Sequence, residues 1–346
     1  MKRTILVTLA LASLISCSQE ETINSPLHEA IAFDNAFVEN STRAAYDGSY
    51  TTNSLTKFQV YGTITNKNRE TGNIFDNVDV TKCGVVWGYS VGLQYWIPGN
   101  DYNFAATVHG NEVKTADNAV KAISTEVDDF HMPTSIKVTD MSVQKDILYA
   151  VNGPIVANAT TWGETVSFIF HHLLSKVKFT VWNNIPTQNG YLYKIENITI
   201  LDAANNGKYI IGNGWDAAAT TDFSFSPDFG HAVNVEVPTS EPIEEGTLIA
   251  VGDKYETQYE RLLLPAKQSF TIQFDYYLYN GTQLIDALED KTITSQEMTL
   301  EAGKAYNFNI KLSNPGEPIT FDVSKIEDWD TDLNNNKNDD DDTEIK

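Results

Sequence analysis

The side chains that could do chemistry fall into a few groups, and their spacing limits what each can do. His171 and His172 are adjacent in an apolar, strand-like run. Neighbouring residues on a strand point to opposite faces, so the pair cannot chelate one ion; packing or a strand-end hydrogen bond is expected. Asp328, Asp330 and Asp332, followed by Asn334 and Asp339, occupy positions 1, 3, 5, 7 and 12 of a loop that could converge on Ca²⁺. Position 6 is Leu333 where the sharp turn needs Gly, and no helix flanks the run, so the default is a solvated acidic tail. Trp87, Tyr95 and Trp96 are candidates for a sugar-stacking platform, although strands also favour aromatics simply as core and cross-strand partners. There is no Gly-rich phosphate loop, nucleophile elbow or pair of His at helical spacing. No catalytic residue, metal or cofactor is therefore assigned, and the chain reads as a non-enzyme.

The elements that must position these residues are strands. Phe58 to Ile64 alternates with period two, and similar runs recur at Ile74–Val80, Gly84–Tyr89, Tyr102–Val108 and Asp146–Val151. A second block opens at Thr165–Phe170 and continues through Lys176–Trp182, Tyr191–Leu201, Phe270–Ile285, Ala305–Leu312 and Ile319–Val323. Asn280-Gly281 predicts a type I′ hairpin turn. Glu112 to Phe130 fits either a helix or short strands. Turn signals every 8 to 12 residues without long amphipathic helices indicate sandwiches or barrels, and the length of 346 residues indicates roughly two domains. Small and turn residues at Asn152-Gly153-Pro154 and Ala157–Gly163 suggest the boundary between them. The expected organisation is a signal segment at 1–17, an N-terminal segment at 18–48, β-sandwiches at 49–158 and 159–329, and an acidic tail at 330–346.

Composition narrows the function. With 24 Lys+Arg against 47 Asp+Glu, the net charge is −23. That excludes a nucleic-acid binder acting through a basic surface. Residues 1–17 show a basic start at Lys2-Arg3, an apolar run from Ile5 to Ile15 and then Ser16-Cys17, the anatomy of an export signal. The tetrad Leu14-Ile15-Ser16-Cys17 resembles the lipobox of bacterial lipoproteins, which implies cleavage before Cys17 and acylation of its thiol and amine. Several acyl chains give stable anchoring where one is marginal. If Cys17 is acylated, Cys83 has no disulfide partner and is either a small buried apolar residue or a free thiol. Arg43, in Ser41-Thr-Arg-Ala-Ala45, is the one basic residue of a small-residue linker, where proteases preferentially cut. On composition alone an ordinary solvated Arg is the favoured reading.

Several segments in order carry a family resemblance. Val166-Ser-Phe-Ile-Phe-His-His-Leu-Leu-Ser-Lys-Val-Lys-Phe-Thr-Val181 resembles a hallmark of the fimbrillin superfamily, in its Mfa-like branch of type V pilin lipoprotein precursors. Phe58–Gly62, Trp87–Tyr89, Tyr95–Gly99, Tyr102–Ala106, Asp146–Ala150, Leu262–Pro265, Ala302–Ile310 and Ile319–Val323 agree in order. The resemblance implies two transthyretin-like β-sandwiches in tandem, all-β, anchored to the outer membrane by lipid and displayed on the cell surface. It also implies cutting between Arg43 and Ala44 by a trypsin-like, Arg-specific protease. Loss of an N-terminal strand, with Ile31 and Phe33 as candidates, would then open a groove. A strand of another fimbrial subunit would fill it, with Ile319, Phe321 and Val323 as the candidate donor. The donor run is short, so a stalk subunit, and a tip or accessory subunit whose C-terminus stays at home, are both open. The rival class is a surface lipoprotein that binds host or bacterial glycans or proteins through exposed aromatics.

Overall fold

The computed structural model describes residues 29–38, 50–109, 113–115, 118–120, 122–141, 144–158, 164–183, 191–201, 203–216, 232–234, 254–257, 260–313 and 318–328. Among these there is no helix, and the strands follow one another in chain order. The first group is β1 (Phe33–Val38), β2 (Lys57–Thr65), β3 (Thr71–Cys83), β4 (Val86–Tyr89) and β5 (Asp101–His109). Then come β6 (Val113–Thr115), β7 (Asn118–Val120), β8 (Ile123–Val127), β9 (Pro133–Val138), β10 (Ile147–Val156) and β11 (Val166–His172). The later group starts with β12 (Ser175–Asn183), β13 (Tyr191–Leu201), β14 (Gly207–Ile210), β15 (Gly214–Asp216), β16 (Ala232–Asn234) and β17 (Lys254–Thr257). It ends with β18 (Arg261–Leu263), β19 (Lys267–Gln268), β20 (Thr271–Asn280), β21 (Gln283–Thr294), β22 (Met298–Thr299), β23 (Lys304–Leu312) and β24 (Thr320–Asp328).

Three apolar cores organise them. The first lies within a seven-stranded sheet of order β1-β11-β10-β5-β2-β3-β4 and holds Phe33, Phe58, Phe75, Trp96, Phe104, Phe168 and Phe170. The second lies between β16-β17-β12-β23-β24 and β13-β20-β21, around Phe179, Phe270, Phe274 and Phe308. Alternation explains both: in β11, Val166, Phe168 and Phe170 are buried while Ile169 and His171 are exposed. A third core, including Tyr61, Ile136, Ile147, Tyr149, Leu174 and Leu262, joins the two halves. There β14 and β15, from late in the chain, extend the β8–β9 pair of the first half.

Several local expectations change. Val166–His172, expected to open the second block, pairs with β10 and β1 and fills the first core, so the chain leaves that core after His172. Alternation marks a half-buried strand but says nothing about which sheet it joins. The Glu112–Phe130 region contains β6, β7 and β8, because its β-branched residues outweigh its helical spacing. In the β20–β21 hairpin Asn280 still pairs with Gln283, and Gly281 (φ 59°) is the first of the two loop residues. Positive φ at that position alone makes the turn type II′ rather than I′.

Candidate functional site

The N-terminal segment 29–38 seals the first core. On one side β1 runs parallel to β11, with Phe33 opposite Val166 and Phe37 opposite Ile169. On the other side the residues just before it reach the far end of the sheet. Ala30 bridges Tyr95, Ile31 N donates to Gln94 O at 2.7 Å, and Trp96 N donates to Glu29 O at 3.0 Å. The Tyr89 hydroxyl adds a bond to Ile31 O at 2.9 Å. Burial pushes the Tyr89 hydroxyl above its ordinary pKa, so it remains a donor. The segment thus links the β11 side of the sheet to the loop after β4.

The side chains show how much of the core is at stake. Ile31, Phe33, Ala36 and Val38 are buried, and Phe37 faces outward. The Phe33 ring meets Phe58, Phe75, Tyr89, Phe104 and Phe168 at centroid separations of 5.4–6.2 Å, one partner from each of five strands. Gly62 makes room for this cluster, since a Cβ there would lie 3.0 Å from Phe75 and 3.1 Å from Phe104. Burying each of Ile31, Phe33 and Val38 is worth about 1.5–3 kcal/mol. The segment is thus a large apolar insert rather than a surface decoration.

The chain is tied down on both sides of Arg43. Val38 N donates to the Thr52 hydroxyl at 3.0 Å, and Tyr50 N donates to Asp146 Oδ2 at 2.9 Å. Asp146 is itself buried, accepts from Ile147 N, and pairs with His172 Nδ1 at 2.8 Å. This confirms the expected role of the two histidines: His172 makes a buried strand-end bond, while His171 points to solvent. Asp146 carried no spacing signal in the sequence; only the fold brings it to Tyr50, 96 residues away in the chain. A cut between residues 39 and 49 would leave 29–38 held by non-covalent contacts alone.

The candidate donor sits at an edge. Among the described residues β24 pairs, antiparallel, with β23 alone, at the end of its sheet. Ile319, Phe321 and Val323 are partly buried against the second core, with the Phe321 ring 5.3 Å from Phe308. Asp322 accepts from Asn309 at 3.1 Å and pairs with Lys311 at 2.7 Å.

The remaining sequence candidates separate. Trp87 and Trp96 are 5% and 1% exposed within the first core, so only Tyr95 of the three aromatics faces solvent and no stacking platform forms. Packing, the bland role of aromatics in strands, accounts for both tryptophans. Cys83 is free and exposed at the end of β3, not a buried apolar residue. Asp328 ends β24, and no group of three or more His, Cys, Asp or Glu among the described residues could hold a metal. Cys17, Arg43, Ala44, Asp330 and Asp332 lie outside the described residues.

A model of the fimbrillin-like family matches residues 42–329. The chain belongs to the fimbrillin-like family. The matched span opens just before Arg43, which leaves β1 outside it. Among solved structures, a fimbrial protein from Bacteroides vulgatus is similar at 16% identity and TM-score 0.59, over 87% of this chain and 99% of that one. At that identity the likeness is one of fold. A candidate cell adhesion protein from Bacteroides ovatus (14% identity, TM-score 0.44) covers 87% of this fimbrillin-like chain and 98% of its own. One from Parabacteroides distasonis (12%, 0.45) covers 88% and 98%. No curated protein matches the chain.

Proposed function

We propose that this fimbrillin-like chain is a subunit of a type V fimbria, exported as a lipoprotein acylated at Cys17 and assembled at the cell surface by strand exchange. An Arg-specific, trypsin-like protease cuts between Arg43 and Ala44. The freed segment 29–38 leaves the first core, and the edge strand of another subunit, carrying Ile319, Phe321 and Val323, takes its place. The strand gains a backbone ladder with β11 and buries alternate side chains, which is β-augmentation. The contact joins unlike surfaces of two copies, so it propagates head to tail. The observation that carries this reading is the position of β1: it fills the seam of a core, yet the chain between it and the rest contains a lone Arg.

The test is to incubate the purified protein with a trypsin-like protease, then record the new N-terminus by mass spectrometry and run unboiled samples on denaturing gels. Ala44 as the first residue, with an SDS-resistant ladder, is expected. Arg43→Ala should show neither. Cleaved protein that stays monomeric would overturn the assembly step, and a ladder from Arg43→Ala would remove Arg43 from it.

A further inference from the structure

Residues 29–39 read Glu-Ala-Ile-Ala-Phe-Asp-Asn-Ala-Phe-Val-Glu, and residues 317–327 read Glu-Pro-Ile-Thr-Phe-Asp-Val-Ser-Lys-Ile-Glu. Laid side by side without a gap, they are identical at Glu29/Glu317, Ile31/Ile319, Phe33/Phe321, Asp34/Asp322 and Glu39/Glu327. Small residues coincide at Ala36/Ser324, and β-branched ones at Val38/Ile326. Alternation alone explains apolar residues at every second place. It does not explain a shared acid after Phe, or a small residue three places beyond it.

The two backbones agree as well. β1 carries a bulge between Asp34 and Phe37 in its ladder with β11, and β24 carries one between Val323 and Ile326 opposite β23. In the aligned frame these irregularities lie within one residue of each other. A bulge resets which face the following residues point to, so a replacement strand without one would turn its later residues outward. Ile-x-Phe-Asp also occurs at Ile272–Asp275. That copy lies in β20, which is paired on both sides, by β13 and β21, and it puts Tyr277 where β1 has buried Ala36.

We infer that the C-terminal strand is an internal copy of the N-terminal one, and that in assembly it enters the groove of a second molecule in one register. Phe321 takes the five-ring pocket of Phe33, Ile319 the place of Ile31, Ser324 that of Ala36 and Ile326 that of Val38, all parallel to β11. This rests on the strand-exchange reading above and adds the register to it. The Phe pocket sets that register, because a shift of one residue would face Thr320 or Asp322 into five rings, and a shift of two would move Phe321 out of the pocket.

In that register Lys325 lies opposite Ile169, as Phe37 does in the uncut chain. Ile169 and Phe37 are both exposed, at 57% and 51%, so a cysteine at position 169 leaves the core intact. Neighbouring strands bring such pairs within disulfide range. The experiment uses the full chain with Cys17→Ser and Cys83→Ser, carrying Ile169→Cys and Lys325→Cys. It is cut with the trypsin-like protease, oxidised, and run boiled and non-reduced. A covalent ladder that collapses on reduction is expected, at least tenfold stronger than from a chain pairing Ile169→Cys with Val323→Cys. A stronger ladder from the Val323→Cys pair, or fibres on native gels without covalent steps from either, would overturn the register while leaving strand exchange standing. No assembly by the cut Cys17→Ser, Cys83→Ser parent would overturn both.

Discussion

Phe33 concentrates what a single residue can contribute here, since its ring touches one aromatic from each of five strands. Phe33→Ala should lower the stability of the uncut chain by about 3–5 kcal/mol in urea denaturation, whereas Phe37→Ala, on the outer face, should stay within about 0.5 kcal/mol. Gly62→Val should cost about 1–3 kcal/mol by crowding Phe75 and Phe104. Asp146→Ala leaves a buried His172 without its carboxylate and frees Tyr50 N; a loss of about 3–5 kcal/mol is expected by the same measurement. The second core has a pH signature. Burial, aided by Asp286, pushes the hydroxyl of Tyr193 to about 12, and burial does the same for Tyr276 and Tyr306. Their folded pKa values lie above the unfolded value near 10, so the folded state holds more protons between the two. The contribution is complete below pH 10 and is lost as pH rises through about 12; urea midpoints at pH 8 and pH 11 should differ in that direction. At this scale Ile31, Phe33 and Phe37 read as one side of a strand, because an apolar period of two is local. That holds for the first two, but the bulge between Asp34 and Phe37 turns Phe37 outward. Asp146 was not legible, because a single carboxylate acquires a role only from what the fold places beside it.

At the scale of elements, β1 and β24 are both edge-placed strands that use Ile and Phe to grip a core, but they are held differently. β1 has its ladder to β11, and the residues just before it, 29–31, bond residues 94–96. β24 has one ladder, to β23, and the Asp322–Lys311 and Asp322–Asn309 contacts. An exposed ion pair of this kind is worth up to about 1 kcal/mol. Lys311→Ala should therefore raise hydrogen exchange of the amides at 320–323 by up to about fivefold, with β23 amides changed less. Most strands were readable from alternation. The helix-or-strand choice at 112–130 was not, because short runs with mixed β-branched and polar residues satisfy both periods. The hairpin at Gly281 was readable to within one residue, since Gly supplies the positive φ but the pairing of Asn280 with Gln283 sets the frame.

The whole molecule is more than two cores on a string. Gln144 bonds both the N and O of Leu262, and Leu174 and Leu262 sit in a third core with Tyr61 and Tyr149. Heat should thus unfold the uncut chain in one calorimetric transition, and Leu174→Ala, which opens the shared core, should separate it into two. Such coupling joins the β1 end and the β24 end in one unit, which the proposed head-to-tail fibre requires. The sequence by itself determined the all-β class, the net negative charge and the internal likeness of residues 29–39 to 317–327, because each is a matter of composition, period or local order. Only the tertiary structure decided that Val166–His172 belongs to the first core, that Trp87 and Trp96 are buried, and that residues 29–38 close a seam. Those are questions of which strand lies beside which, and pairing between residues more than a hundred positions apart is set by packing complementarity that no local window contains.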